Sequence, residues 1–116
     1  MADSTSDIIV RRLAEITCDI STSVVSSVLI AFEESPDISA SVLQLTDLRT
    51  HYHKRSTELY YILDGEGILT VEGVDTPITP GTCVLVRPLR RHRVSGDIQA
   101  LVVCTPAMHP ADLFYD

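Results

Sequence analysis

This chain of 116 residues lacks positive charge: nine lysines and arginines stand against sixteen aspartates and glutamates, a formal net charge of −7. A general nucleic-acid binder needs a basic face, so the balance argues against that role. No apolar run reaches membrane-spanning length, and the most apolar stretch, Val24 to Phe32, contains Ser26 and Ser27. The opening "MADSTSD" has neither a basic segment nor an apolar one behind it, so no secretory leader is expected. Cysteine is scarce too. Cys18, Cys83 and Cys104 are odd in number and form no CxxC pair, which argues against a disulfide framework. Reduced thiols packed as small hydrophobes, in a cytoplasmic protein, are the expectation.

A hydrophobic content of 45% with 22% charged residues indicates a globular fold, and the length allows one domain. Residues 1–6 are small and polar and are expected to form a disordered tail, leaving 7–116 as the single domain. From Asp7, "DIIVRRLAEI" places Ile9, Leu13 and Ile16 at helical spacing with Asp7 as N-cap, which predicts a short N-terminal helix. Beyond it the character changes to short β-branched segments: "SVVSSVLIAF", "ISASVLQL", "ELYYIL", "GILTVEG", "TPIT", "CVLVRP", "HRVS" and "IQALVVC". Turn residues bound them at "EESPD", Asp64-Gly65, Glu72-Gly73, Pro80-Gly81 and Ser95-Gly96-Asp97. That pattern predicts an all-β sandwich or barrel. The tail "TPAMHPADLFYD" is expected to wrap the outside and to end in a helical turn.

The chemistry concentrates in "HYHKRSTELYYILDGEG". Side chains alternate faces along a strand, so His51 and His53 point the same way. "KRST" can turn the chain, and a tight hairpin would set Glu58 opposite the histidine pair, with Tyr60 and Ile62 sharing its inward parity. Three N/O donors on one side of a curved sheet suit a borderline divalent metal. A polar surface hairpin is the alternative reading of the same residues.

Further along, "PGTCVLVRPLRRHRV" joins a Pro-Gly turn to an apolar strand and sets Pro88 four residues before His92. Together the two stretches resemble the paired motifs of the cupin superfamily. The first is His51-x-His53, four residues, Glu58, six residues and Gly65; the second is Gly81, Pro88 and His92. The resemblance covers roughly residues 38–106. It implies a jelly-roll β-barrel and a metal site with His51, His53, Glu58 and His92 as its four ligands. Iron, manganese, nickel, copper or zinc would suit such residues. The chain departs from the motifs at Leu45 and Leu89, where the family usually carries turn glycines.

Four protein ligands would leave one or two positions open at a five- or six-coordinate metal, which is the mark of a catalytic site. The expectation is a metal-dependent enzyme acting on a small organic molecule, first of the dioxygenase type. Isomerase or lyase chemistry, and a non-catalytic binding or sensing module, are the alternatives. Tyr60 is the candidate catalytic residue, able to position substrate or donate a proton; a core tyrosine is the plainer reading. Arg91 and Arg93 flank His92 and should turn away from it, toward surface salt bridges such as one to "FEESPD". Arg90 sits in the turn with either role open, and Arg87 completes that basic run. Arg49 shares the parity of the histidine pair and should approach the pocket mouth. His109 fits no motif position and is expected at the surface. Leu59, Tyr61 and Leu63 point outward and need a cover, for which a homodimer is the expectation.

Overall fold

In the computed structural model, which describes residues 7–116, seven strands make up nearly all regular structure. They are β1 (Asp19–Ile20), β2 (Val24–Ile30), β3 (Ser39–His51), β4 (Thr57–Val71), β5 (Val74–Ile78), β6 (Cys83–Val86) and β7 (His92–Thr105). All pairings are antiparallel, in the order β1-β2-β3-β7-β4-β5, with β6 also on β4. The expected tail at residues 1–6 lies outside the described residues. Among the described residues no helix is long and apolar enough to cross a membrane.

The N-terminal helix is reduced to a single 3-10 turn, Leu13–Glu15. Its N-cap position is Arg12, which supplies no side-chain cap, so Asp7 does not start a helix. Ile8, Ile9 and Val10 are β-branched and exposed, and residues of that shape lose rotamer freedom in a helix.

Two of the predicted turns are not chain reversals. Asp64-Gly65 lies inside β4, and Ser95-Gly96-Asp97 lies inside β7. Each joins two segments that the sequence pattern separates, and the two sites face one another, with Gly65 paired to Ile98 and Gly67 to Gly96. Register shifts fall nearby, between Ile62 and Asp64 on β4 and between Thr46 and Leu48 on β3. Gly65 (φ +83°) and Gly96 (φ +98°) take the left-handed conformation there. A Cβ on Gly65 would lie 2.3 Å from the Asp97 carbonyl oxygen. These positions form a corner at which β3, β4 and β7 bend together, so that the one continuous sheet turns from one layer of the barrel into the other.

The first halves of β4, the last half of β7 and the first half of β3 make one layer, flanked by β2 and β6. The remaining halves with β5 make the other. Between them lies the core, where Leu45, Ile62, Leu69, Ile78, Val94, Ile98 and Ala100 are almost fully buried. This is the jelly-roll barrel expected from the sequence. The Glu72-Gly73 and Pro80-Gly81 turns do reverse the chain, after β4 and before β6.

The tight β3–β4 hairpin does not exist. β3 pairs with β2 and β7, and β7 stands between it and β4. The thiols also depart from expectation: Cys104 is buried, whereas Cys18 and Cys83 are exposed, and all three are free. Cys83 stands on β6 at an outward position, paired to the exposed Tyr61, so parity and not residue type decides its fate.

Replacing Gly65 by Ala puts a side chain into a backbone contact and strains a left-handed residue. The expected loss is about 2 kcal/mol or more. Urea unfolding should show the midpoint falling with an unchanged slope; a loss under about 0.5 kcal/mol would contradict the corner.

Candidate metal centre

His51 ends β3, His53 follows in the loop, Glu58 opens β4 and His92 opens β7. On the ladders His51 pairs with His92, while Glu58 pairs with Cys104 at the far end of β7. A flat strand would hold His92 and Cys104 about 40 Å apart. The corner folds the sheet over, and one potential ligand atom from each of His51, His53, Glu58 and His92 lies within 4.8 Å of the others. All four residues are buried. The four-residue set predicted from the sequence is therefore brought together, by a different route from the predicted hairpin.

Each imidazole is clamped through Nδ1 by a backbone carbonyl. The acceptors are Arg49 O for His51 (2.9 Å), Asp112 O for His53 (2.6 Å) and Arg90 O for His92 (2.8 Å). A carbonyl can only accept, so Nδ1 carries the proton and Nε2 turns a lone pair inward in each neutral ring. His92 Nε2 lies 2.9 Å and His53 Nε2 3.1 Å from the same atom, Glu58 Oε1. His53 Nε2 is buried and, apart from this approach to Glu58, has no polar partner among the described residues. Inward lone pairs beside a carboxylate repel one another unless a proton or cation lies between them. The carbonyl-clamped histidine is also the usual outer support of a metal ligand. His51, His53, Glu58 and His92 thus fit a divalent transition metal, and can form such a site.

The charge states follow from burial and neighbours. Burial, reinforced by the adjacent His92, lowers His51 to about 4. Burial also opposes charge on His53, but the Glu58 carboxylate overrides it and raises this ring above its ordinary value. Burial opposes the Glu58 charge as well; His53 and His92 outweigh it and hold the carboxyl at about 2. Tyr60 is buried, donates to Glu58 Oε1 at 3.3 Å, and is pushed well above its ordinary value, by burial first and then by the Glu58 charge. Its phenol keeps its proton at neutral pH.

The C-terminal segment contributes more to the site than its sequence indicates. It forms only one hydrogen-bonded turn, from Asp112 N to His109 O, in place of the predicted helical turn. Phe114 bridges to Tyr52 on the backbone, and Leu113 and Tyr115 line the pocket over the histidines. The Asp112 carboxylate accepts from the backbone N–H groups of Lys54, Arg55 and Ser56, while its carbonyl holds His53. The only sequence signal for this role was a lone Asp four residues from the end of the chain.

The arginines divide as parity requires. Arg93 reaches Ser95, and Arg91 turns outward to Asp116 and stacks on Tyr52. The acidic "FEESPD" segment pairs instead with Arg11, through Glu34. Arg90 contributes its carbonyl to His92, Arg87 is exposed, and Arg49 lies over the Tyr115 ring at the pocket mouth. His109 is half-buried against Phe32 instead of at the surface. Leu89 takes the left-handed conformation (φ +69°) that its missing glycine would favour, and its N–H donates to His53 O at 2.7 Å. At the first motif the left-handed residue is Asp47, while Leu45 is fully buried in the core.

Burial opposes the Asp112 charge, yet its three backbone donors hold the carboxyl below the ordinary 3.8. Its contribution is present above that ordinary value and is lost as pH falls through the lowered folded-state value. Asp112→Asn should lose about 2 kcal/mol at pH 7. The gap between variant and wild type in urea unfolding should narrow in acid; an equal gap at pH 7 and pH 3 would contradict this role.

Comparison with known proteins places the chain. The cupin domain family model matches residues 45–105, just over half of the sequence. The uncharacterized protein MJ1618 of Methanocaldococcus jannaschii is 29% identical over 56 residues, 47% of this chain and 45% of that protein. The match therefore spans less than half of that relative's length. A solved protein from Planctomyces limnophilus superposes with a TM-score of 0.86 at 24% identity, over 97% of this chain and all of its own. Pac13, a nucleoside dehydratase from Streptomyces, gives 0.82 at 15% identity over 94% of this chain and 91% of its own. A predicted oxalate decarboxylase from Thermotoga maritima gives 0.72 at 26% identity over 84% of this chain and 99% of its own. With both motifs in place on a jelly-roll barrel, this chain belongs to the cupin family.

Proposed function

We propose that this protein is a metal-dependent lyase or isomerase acting on a small oxygen-bearing organic molecule, with Tyr60 as its proton donor. The observation that carries this reading is the buried Tyr60–Glu58 hydrogen bond, a neutral phenol held on a carboxylate beside three inward-facing imidazoles. The first expectation, dioxygenase chemistry, needs a redox-active metal and places no demand on such a phenol. Proton transfer does.

His51, His53, Glu58 and His92 would hold the metal, which as a Lewis acid would polarise a substrate oxygen. Tyr60, kept protonated by burial and by the Glu58 charge, donates a hydrogen bond or a proton to an oxygen bound beside it, and the carbon-bound proton that this acidifies passes to water in the pocket. Leu48, Leu113 and Tyr115 add apolar surface to the lining of the pocket beside these residues. The likeness to a nucleoside dehydratase and a predicted decarboxylase supports chemistry other than oxygen insertion.

The test is deuterium exchange. Metal-loaded protein in deuterated water, given a panel of hydroxy acids, keto acids and hydroxyaldehydes, should exchange a carbon-bound proton of at least one member. Tyr60→Phe should slow that exchange by about 10²-fold or more with metal content unchanged. Oxygen uptake by the iron-loaded protein, without exchange, would restore the dioxygenase reading. Tight binding with neither reaction would make this a sensing module.

The outward face of β4 and its neighbours carries Leu59, Tyr61, Leu63 and Leu85, the last three more than 40% exposed. We propose that a second copy covers this face, and that the dimer occupies a reducing, cytoplasmic setting suited to the free Cys18 and Cys83. Sedimentation at micromolar concentration should give a dimer, and Tyr61→Glu a monomer. A monomeric wild type would contradict it.

A further inference from the structure

Glu58 faces two cavities. One, of about 310 Å³, holds His51, His53 and Tyr60 with it. The other, of about 270 Å³, lies beneath β2 and β3. Leu43, Glu58, Met108 and Pro110 line both, so the second cavity begins where the metal centre ends.

The sequence explains why this space is hollow. Val28, Ser41, Val102 and Tyr60 stand in register across β2, β3, β7 and β4, so all four share the inner face. Ser41 places a small side chain where its two ladder neighbours carry valine. In the adjacent row Ser39 does the same beside Cys104 and Glu58. Interiors normally fill to near-crystalline density, and a row of small residues leaves a chamber. Val28, Ile30, Phe32, Val102 and Cys104 form its apolar walls; its two carboxylates are Glu58, at the end shared with the metal centre, and Glu33, exposed at the rim. Met108 stands between the cavities on a backbone N–H that donates to Ser39 Oγ at 2.9 Å. Its unbranched thioether can change rotamer and let a slender group past.

We infer that the substrate has two parts: an oxygen-rich chelating head seated among His51, His53, Glu58 and His92, and an apolar tail that passes Met108 into the chamber beneath β2. The inference rests on the metal-centre reading proposed above and names the class of molecule that this centre takes. A charged tail would lose hydration against these apolar walls, and an anionic one would also meet the Glu58 carboxylate.

The probe is a series of n-alkyl hydroxamates, from acetohydroxamate to hexanohydroxamate, titrated by calorimetry into the zinc-loaded full chain. Each added methylene should tighten binding about fourfold until the chamber is full. Ser41→Leu fills the chamber from the middle of the row and should flatten the series, leaving acetohydroxamate affinity unchanged. Val28→Phe, at a partly exposed position, repeats the test if Ser41→Leu melts early. A flat series in the wild type, with acetohydroxamate binding intact, overturns the tail chamber and leaves the metal centre standing. Equal slopes in wild type and both variants overturn the chamber's location. Failure of acetohydroxamate to bind at all overturns the metal-centre reading, and this inference with it.

Discussion

The structure depends on a single corner. β3, β4 and β7 are each long enough to serve both layers of the barrel, and they do so only because they bend together near Asp47, Gly65 and Gly96. The bend needs backbone approach closer than a Cβ permits, with the Asp97 carbonyl against Gly65. Without it Glu58 and His92 would sit at opposite ends of the β4–β7 ladder. With it their side chains lie 2.9 Å apart. The corner also packs Leu45, Ile62 and Ile98 between the layers, so the core and the site depend on the same bend.

A second constraint acts on the side chains. Three backbone carbonyls, one of them from the C-terminal segment, fix the proton on each Nδ1 and turn each Nε2 inward. A single carboxylate oxygen then meets two imidazoles and a phenol. Such a cluster is held by the protein and left electrostatically incomplete, which is what a cation site requires. The tail is part of this arrangement. Asp112 uses its carboxylate to order Lys54–Ser56 and its carbonyl to orient His53.

Much of the site was legible because ligand chemistry is carried by residue type and spacing. His51, His53, Glu58 and His92 stand where the paired motifs put them, and strand parity placed Tyr60 and Ile62 inside and Tyr61 outside. The route was not legible: a local hairpin was the simplest way to bring Glu58 to the histidines, and the chain instead uses a long-range ladder through β7. Gly65 and Gly96 read as turns because a glycine that bends a strand and one that reverses a chain look alike in sequence. Cys83 shows the limit of residue-type statistics, since its place on an outward face of β6 outweighs the general burial of free thiols. The N-terminal apolar spacing fitted a helix, yet β-branched Ile8, Ile9 and Val10 lie outside regular structure and exposed. Nothing local marked Asp112, because its partners lie more than fifty residues away.

The central claim is that these four residues hold one divalent transition metal. Anomalous diffraction from crystals of the metal-loaded protein, measured at that metal's absorption edge, tests it most directly. The account predicts one strong peak within bonding distance of Nε2 of His51, His53 and His92 and of the Glu58 carboxylate, absent from crystals of His92→Ala. A fully loaded protein whose peak lies elsewhere, or persists unchanged in that variant, would contradict it.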